Sequence, residues 1–217
     1  MRELSLGGAV LGMFRFRRRK GNYESKRTEP VVLPLEYLHD IVYILAVILL
    51  VFTFLVRMVV VSGSSMFSTL ADGDYLLLLD HPLCGDLEYG DIVVASMDRF
   101  HDGEPIVKRV IATEGQTVDI DFEQGIVYVD GKPLDEPYTH TKTTLDEGMK
   151  FPLVVREGCV FLMGDNRNNS RDSRDPLIGQ VDQREILGKA LFLVLPGTGE
   201  NEFTTPRDYG RIGGLEG

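Results

Sequence analysis

The sequence is poor in the residues from which metal sites and disulfide frameworks are built. It has no tryptophan, two cysteines and four histidines in 217 residues. Cys84 and Cys159 lack the CxxC spacing of zinc ligands and no histidine cluster accompanies them, so the sequence indicates no metal site. Whether the two thiols form a disulfide is left open, because sequence alone does not show that they lie close together. The histidines are His39, His81, His101 and His140.

Several catalytic and nucleotide-binding motifs are also missing. The chain contains no HExxH, GxSxG, Walker or GxGxxG pattern. These absences argue against zinc metalloproteases, α/β-hydrolases, P-loop NTPases and dinucleotide-binding enzymes. The scattered histidines give no support to a Ser-His-Asp triad either, although a triad assembles through space and needs no sequence motif.

Negative charge dominates the chain, but not at its beginning. The formal net charge is −10, and residues 1–40 hold eight Lys or Arg against five acidic residues, so the remainder carries −13. An acidic body disfavours a surface that follows nucleic-acid phosphates, and we predict no nucleic-acid partner. A basic segment ahead of an acidic body instead indicates two compartments.

One long apolar run follows the basic segment. No charge interrupts Ile41–Val56, and extension to Val61 gives 21 residues with Arg57 as the one charged side chain. Because a spanning helix needs roughly 20 apolar residues, we predict a transmembrane signal anchor over 41–60, in preference to a buried core helix or a cleaved secretory signal. The basic stretch Phe14–Lys20 places the N-terminus in the cytoplasm by the positive-inside rule, so the later residues face outward from the cell membrane.

Beyond the apolar run, short β-like segments alternate with turn signals. We therefore predict a mainly β extracytoplasmic domain, built as a barrel-like sheet, over residues 61–196. Residues 1–40 form the basic cytoplasmic segment, and residues 197–217 form a flexible C-terminal tail. The predicted strands are Tyr75–Asp80, Asp91–Met97, Pro105–Thr113, Thr117–Phe122, Gly125–Gly131, Cys159–Asp165 and Ala190–Pro196.

Three segments carry residues that suit catalysis, and each also has an ordinary interpretation. VVVSGSSMFSTL, Val59–Leu70, is either a linker or the site of a nucleophilic serine. Lys108 lies among branched apolar residues on its face of a predicted strand. It is therefore either a lysine that extends to water or a desolvated amine whose lowered pKa makes it a base. Gly164–Arg174 is either a plain polar loop or an internal hydrogen-bond network.

Together these segments resemble the bacterial type I signal peptidases, which are membrane-bound serine proteases with a Ser/Lys dyad. The first family box, roughly G-x-S-M-x-P-T-L, corresponds to Gly63–Leu70. The second, K-R-V, corresponds to Lys108–Val110, followed by the expected Gly115. The third, G-D-N-R-x-x-S-x-D-S-R, matches at every fixed position of Gly164–Arg174. The resemblance extends over residues 40–196 and favours the Gram-positive type, with one spanning helix and a small β cap at 116–158.

The resemblance implies an endopeptidase that removes N-terminal signal peptides from exported preproteins. Ser65 would be the nucleophile and Lys108 the general base. Ser170 would hydrogen-bond the lysine and orient it, and Asp172 and Arg174 would support the loop as an ion pair. The backbone N–H of Ser65 would help to stabilise the oxyanion. The reaction requires no metal ion and no organic cofactor.

The resemblance also implies how the substrate binds. A signal peptide with an Ala-x-Ala-like site would add as a β-strand, with its small side chains in shallow apolar pockets. The enzyme is expected to act as a monomer in contact with membrane lipid. Plain core packing equally explains the apolar candidates for these pockets. The candidate substrate-binding residues are Val61, Gly63, Met66, Leu70 and Val107.

Two positions depart from the family pattern. Ser68 replaces a proline, which leaves the turn after the nucleophile less rigid, and Gly63 has no hydroxyl to act as a second oxyanion donor. Three alternative interpretations stay open. They are a self-cleaving Ser/Lys repressor-type protease, a catalytically inactive membrane-anchored binding protein of the same fold, and an envelope structural protein.

Overall fold

The structure is a computed structural model that describes residues 32–198 and 207–215. Residues 1–31 of the predicted cytoplasmic segment lie outside the described residues, as do 199–206 and 216–217 of the predicted tail. The chain divides into two compact units between Leu45 and Ala46, and all strands belong to the second unit.

The apolar run contains a helix and a strand rather than one continuous helix. Helix α1 spans Val32–Phe54, so it begins before the start of the predicted anchor and ends before the end of that anchor. Strand β1, Val56–Val60, occupies the end of the predicted span, which corrects that boundary. Three of its five residues are valine, a β-branched residue that favours strands, and it pairs with the strand that follows. In the described ranges, no helix combines the length and apolar character needed to cross a membrane.

The remaining strands form two antiparallel sheets, which confirms the mainly β class. Eight strands build the larger sheet in the order β1-β2-β11-β3-β4-β9-β10, with β12 paired to β11. The order β7-β6-β5-β8 makes a second sheet of four strands within the segment predicted as a cap. The strands are β2 Tyr75–Asp80, β3 Ile92–Ala95, β4 Ile106–Ala112, β5 Thr117–Asp121, β6 Ile126–Val129, β7 Lys132–Pro133, β8 Leu153–Val154, β9 Cys159–Met163, β10 Val181–Asp182, β11 Ile186–Leu195 and β12 Gly213–Gly214.

Alternation along β4 separates the hydrophobic clusters of the domain. Val110 packs in one cluster with Val93 of β3, while its neighbour Ile111 packs in another with residues of the smaller sheet. Successive side chains of a strand point to opposite faces, so this one strand contributes to cores on both of its sides. Both cysteines are free thiols, Cys159 buried and Cys84 partly so.

The described part of the predicted flexible tail is tied to the larger sheet. Residues 213–214 pair with Phe192 and Leu193 of β11, and the Arg211 guanidinium forms an ion pair with Asp74 at 2.6 Å. The prediction of a flexible tail is therefore wrong for residues 207–215. The high glycine and charge content of this segment suggested mobility, but a long-range ion pair and backbone pairing hold it.

Asp74 is a fully buried carboxylate that joins three parts of the domain. It accepts hydrogen bonds from the backbone N–H groups of Ala71 and Gly197 and from the guanidinium of Arg211. We expect Asp74→Ala to lower the free energy of unfolding by about 3 kcal/mol, because it leaves buried donors unpaired. Urea denaturation measures this, and Asp86→Ala, which removes an exposed carboxylate, is the control. Equal stability of the two variants would contradict this role of Asp74.

Candidate active site

A lysine amine and a serine hydroxyl meet within the second unit. The Nζ atom of Lys108 donates a hydrogen bond to Oγ of Ser65 at 2.7 Å and another to the carbonyl of Val107 at 3.0 Å. These residues are 43 positions apart in the sequence, so the fold itself creates the contact. Two of the candidates chosen from the sequence are thus brought together.

The serine lies on a loop whose two ends are fixed. Val61 exchanges backbone hydrogen bonds with Gly73 and Asp74, and the N–H of Gly63 donates to the Asp72 carboxylate at 2.7 Å. Gly63 has a φ of +88°, a left-handed conformation that favours glycine. Behind the serine, Met66 is buried in the hydrophobic core. Backbone hydrogen bonds and an apolar anchor therefore position Ser65.

The amine of Lys108 is almost entirely removed from water. Lys108 is 3% exposed and lies opposite Val93 in the antiparallel pair of β3 and β4. Burial lowers the pKa of this amine to about 8, whereas the nearby Asp172, Glu147 and Asp165 carboxylates oppose that shift. About a tenth of the amine is thus neutral, and able to accept a proton, at pH 7, which is far more than for a lysine in water.

The polar loop Gly164–Arg174 is a buried network rather than a solvated loop. Its Asp165 carboxylate is fully buried and accepts two hydrogen bonds from Arg109, at 2.9 and 2.8 Å. The same carboxylate accepts the hydroxyl of Thr69 at 2.5 Å. Asp165 therefore joins the second and third sequence boxes to the end of the first.

Two asparagines of this loop hold the backbone around the serine. The N–H of Asn166 donates to the carbonyl of Ser65 at 3.0 Å, and its side-chain amide donates to the carbonyl of Ser64 at 3.1 Å. The amide of Asn169 reaches the Ser64 hydroxyl at 2.9 Å. Sequence reasoning gave these residues no individual role. The density of amide side chains in the loop was the available signal.

Asp172 is the centre of the support group, by which we mean Ser170, Asp172 and Arg174. It accepts two hydrogen bonds at 2.8 Å from Arg174, so the predicted ion pair is present and bidentate. It also accepts the hydroxyl of Ser170 at 3.0 Å and the N–H of Gly164 at 2.9 Å. The Ser170 hydroxyl thus donates to Asp172, whereas the family resemblance implied a hydrogen bond with Lys108.

Ser170 nevertheless lies against the nucleophile segment. A Cβ added to Gly164 would be 2.2 Å from Oγ of Ser170 and 2.5 Å from the carbonyl oxygen of Ser65. Only glycine permits this close approach of the loop to the serine backbone. Ser170 is therefore adjacent to the carbonyl of Ser65, and its hydroxyl orientation is set by Asp172.

A small cavity of about 120 Å³ opens beside the serine and the lysine. Val61 and Val107, both predicted to contact substrate, line it. Met66 and Leu70 are instead packed in the hydrophobic core, and Gly63 is not part of the lining. The remaining lining residues, which the sequence did not identify, are Val59, Val60, Ser62, Val94, Pro105 and Ile106.

The arrangement suits nucleophilic catalysis by a serine. A neutral amine 2.7 Å from a hydroxyl can take its proton as the oxygen attacks an electrophile. Within residues 32–198 and 207–215, no three His, Cys, Asp or Glu side chains group as metal ligands.

Comparison with known proteins identifies relatives over most of the chain. The family model described as "Signal peptidase, peptidase S26" matches residues 35–195. Signal peptidase I S of Bacillus subtilis is 34% identical, covering 75% of this chain and 89% of that protein. A probable signal peptidase I-1 of Synechocystis is 35% identical, covering 78% and 89% respectively. A crystal structure of a signal peptidase I from Enterococcus faecalis is 28% identical, with a TM-score of 0.40, and covers 49% of this chain and 97% of that one.

The buried amine predicts a pH-dependent change in stability. In the unfolded chain Lys108 keeps its ordinary pKa of 10.5, so between pH 8 and 10.5 the unfolded state binds more protons and wild-type stability rises with pH. We expect Lys108→Met to increase the free energy of unfolding at pH 7 by up to about 3 kcal/mol, and to lose this advantage as the pH approaches 10.

Urea denaturation of wild type and Lys108→Met at pH 7 and pH 10 measures this difference. The control is Lys132→Met, at an exposed lysine of β7. A Lys108→Met effect that is independent of pH would show that folding does not lower the pKa of the Lys108 amine.

Proposed function

Because this chain belongs to the signal peptidase family, peptidase S26, we propose that Ser65 and Lys108 are the catalytic dyad of a signal peptidase I. The chain is a serine endopeptidase that removes signal peptides from preproteins. The observation that carries the residue assignment is the 2.7 Å hydrogen bond from a buried amine to the serine hydroxyl.

The dyad performs acyl transfer in two stages. Neutral Lys108 accepts the proton of Ser65 while Oγ forms a bond to the scissile carbonyl carbon, and the resulting ammonium gives that proton to the departing amine. Water then enters, loses a proton to the lysine and attacks the ester carbon. The ammonium gives that proton to the departing Oγ, which releases the signal peptide as a carboxylic acid and regenerates the Ser65 hydroxyl and neutral Lys108. The backbone N–H of Ser65 stabilises the oxyanion in each stage.

Ser170, Asp172 and Arg174 act in this proposal as support. Asp172 accepts hydrogen bonds from Arg174, Ser170 and the N–H of Gly164. The loop that these bonds fix packs closely against the carbonyl of Ser65. Among the hydrogen bonds of the described residues, none runs from Ser170, Asp172 or Arg174 to the hydroxyl of Ser65. Their contribution is to hold Ser65, and Asp172 also supplies negative charge that favours the ammonium of Lys108, while the cation of Arg174 opposes it.

The cavity beside the dyad supports a preference for small side chains. Its volume of about 120 Å³ and its valine lining suit a methyl group better than a long or charged chain. We therefore propose that it receives an alanine next to the cleaved bond of an Ala-x-Ala-like site, with the peptide extended along the cavity-lining strands.

The predicted membrane topology is part of the same proposal. The uncharged run Ile41–Val56 and the basic stretch Phe14–Lys20 support a single-pass anchor with the N-terminus in the cytoplasm and the β domain outside. A monomer in contact with lipid accords with this arrangement. The site does not favour the inactive binding protein, because a lysine without a catalytic role would gain nothing from burial against a serine.

Loss of either dyad member is expected to abolish cleavage. Ser65→Ala removes the nucleophile and Lys108→Ala removes the base, and each should lower kcat at least about 1000-fold. The assay is cleavage of a purified preprotein in detergent, with product ends mapped by mass spectrometry. Ser68→Ala, which changes a neighbouring serine outside the dyad, is the control. Activity retained by Lys108→Ala would refute the base assignment.

Filling the cavity is expected to impair recognition of the substrate. Val107→Phe occupies the space that receives the small side chain, so kcat/KM for a preprotein with an alanine at the cleaved bond should fall about 10-fold or more. Val154→Phe, at an exposed valine of β8, introduces the same side chain away from the cavity and serves as the control. An unchanged kcat/KM in Val107→Phe would mean that the substrate binds elsewhere.

A further inference from the structure

A short stretch of the inserted segment encloses the arginine of the support group. The carbonyl of Leu145 accepts a hydrogen bond from Nη1 of Arg174 at 3.2 Å, and the N–H of Met149 donates to the carbonyl of Arg174 at 3.0 Å. Between these two contacts lies Glu147, a residue outside the three sequence boxes. The polar composition of its surroundings gave no reason to single it out.

Glu147 touches both members of the Asp172–Arg174 pair. Its Oε1 atom is 3.0 Å from Nη2 of Arg174, and its Oε2 accepts the N–H of Asp172 at 3.3 Å. Its side chain is only 8% exposed. A carboxylate in this position contacts both members of the Asp172–Arg174 pair, and water does little to screen its charge.

The charges of Asp172, Glu147 and Arg174 do not cancel. Asp172 and Glu147 both face one guanidinium, so the set carries an excess of one negative charge when all three are ionised. This excess acts on the nearby amine of Lys108. The groups that face the amine are the carboxylates of Asp172, Glu147 and Asp165, which favour the ammonium, and Arg174, which disfavours it.

We propose that Glu147 is a positioning residue that acts on the Lys108 amine through Arg174 and Asp172 and sets the pH range in which that amine is a base. The proposal rests on the assignment of Lys108 as the general base. Glu147 touches neither the substrate cavity nor the serine hydroxyl, so it takes no direct part in the chemical step.

Glu147 itself titrates near the working range of the enzyme. Burial and the neighbouring Asp172 raise the pKa of its carboxyl to about 7, and Asp175 adds to this shift while Arg174 opposes it. The carboxylate is therefore mostly ionised at pH 8 and mostly neutral at pH 6. As the pH falls, Glu147 takes up a proton and no longer favours the ammonium of Lys108. The neutral fraction of the Lys108 amine therefore falls less steeply with pH than it would beside a carboxylate that stayed ionised.

The test is the pH profile of kcat/KM for preprotein cleavage by Glu147→Gln. Without the anion, the amine gives up its proton more readily, and we expect the acid limb to move to lower pH by about half a unit. Glu147→Asp keeps the charge and should restore the wild-type limb. Glu123→Gln makes the same change at an exposed turn and should leave the profile unmoved. Coinciding acid limbs for Glu147→Gln and wild type would overturn the proposal.

Reciprocal coupling provides a second measurement if Glu147→Gln does not fold. The titration of the Glu147 carboxyl carbon by NMR should move to higher pH in Lys108→Met, because the cation that favours its ionised form is gone. An unmoved midpoint would overturn the proposal as well. Failure of the dyad assignment is distinguishable, since it appears as cleavage retained by Lys108→Ala, whereas the NMR coupling does not depend on catalysis.

Discussion

The buried amine of Lys108 is the constraint around which the second unit is arranged. An amine in water holds its proton too firmly to act as a base at neutral pH, and burial is what weakens that hold. Complete burial without any compensating interaction would strongly destabilise the folded protein whenever the amine is protonated. The structure meets both requirements, because the amine donates hydrogen bonds to a hydroxyl and a carbonyl while carboxylates favour its charged form through electrostatic interactions.

Three buried arginines stabilise the loop that holds the serine. Arg109, Arg167 and Arg174 are each at most 2% exposed, and each pairs with an acidic side chain. A buried pair of this kind adds little net stability, but loss of one partner leaves an uncompensated charge in the interior. The pairs therefore define a single loop conformation, with the backbone of Ser65 hydrogen-bonded to it.

The inserted segment contributes to each of these arginines. The ring of Tyr138 lies 3.9 Å below the guanidinium of Arg109, Glu136 binds Arg167 through both oxygens, and Glu147 reaches Arg174. A cap that only covered the sheet would need none of these contacts. The segment between the second and third boxes thus helps to fix the loop Gly164–Arg174, through the inward-facing side chains of Tyr138, Glu136 and Glu147.

Sequence reasoning singled out the residues to which we assign chemical roles and missed those that are tied to them by long-range contacts. Ser65, Lys108 and the Asp172–Arg174 pair stand in recognisable boxes, and seven of the eleven strands described from Tyr75 onward follow from strand-like runs between turn residues. Glu147 had no such pattern, because its importance comes from an arginine 27 positions later. The bond from Ser170 to Asp172 was also out of reach, since a hydroxyl beside several acceptors has no preferred partner in the sequence.

The misplaced boundary of the apolar run shows why composition alone was insufficient there. Hydrophobicity continues from the helix into β1 with Arg57 as the one charged residue, yet the valines at 59, 60 and 61 line the cavity beside the dyad. An apolar wall for a small side chain and an apolar surface for lipid require the same residues. What distinguishes the two is branching at Cβ, which favours the extended backbone that β1 adopts beside the cavity. The density of valine after Leu55 was therefore the sign that the strand begins before the first catalytic box.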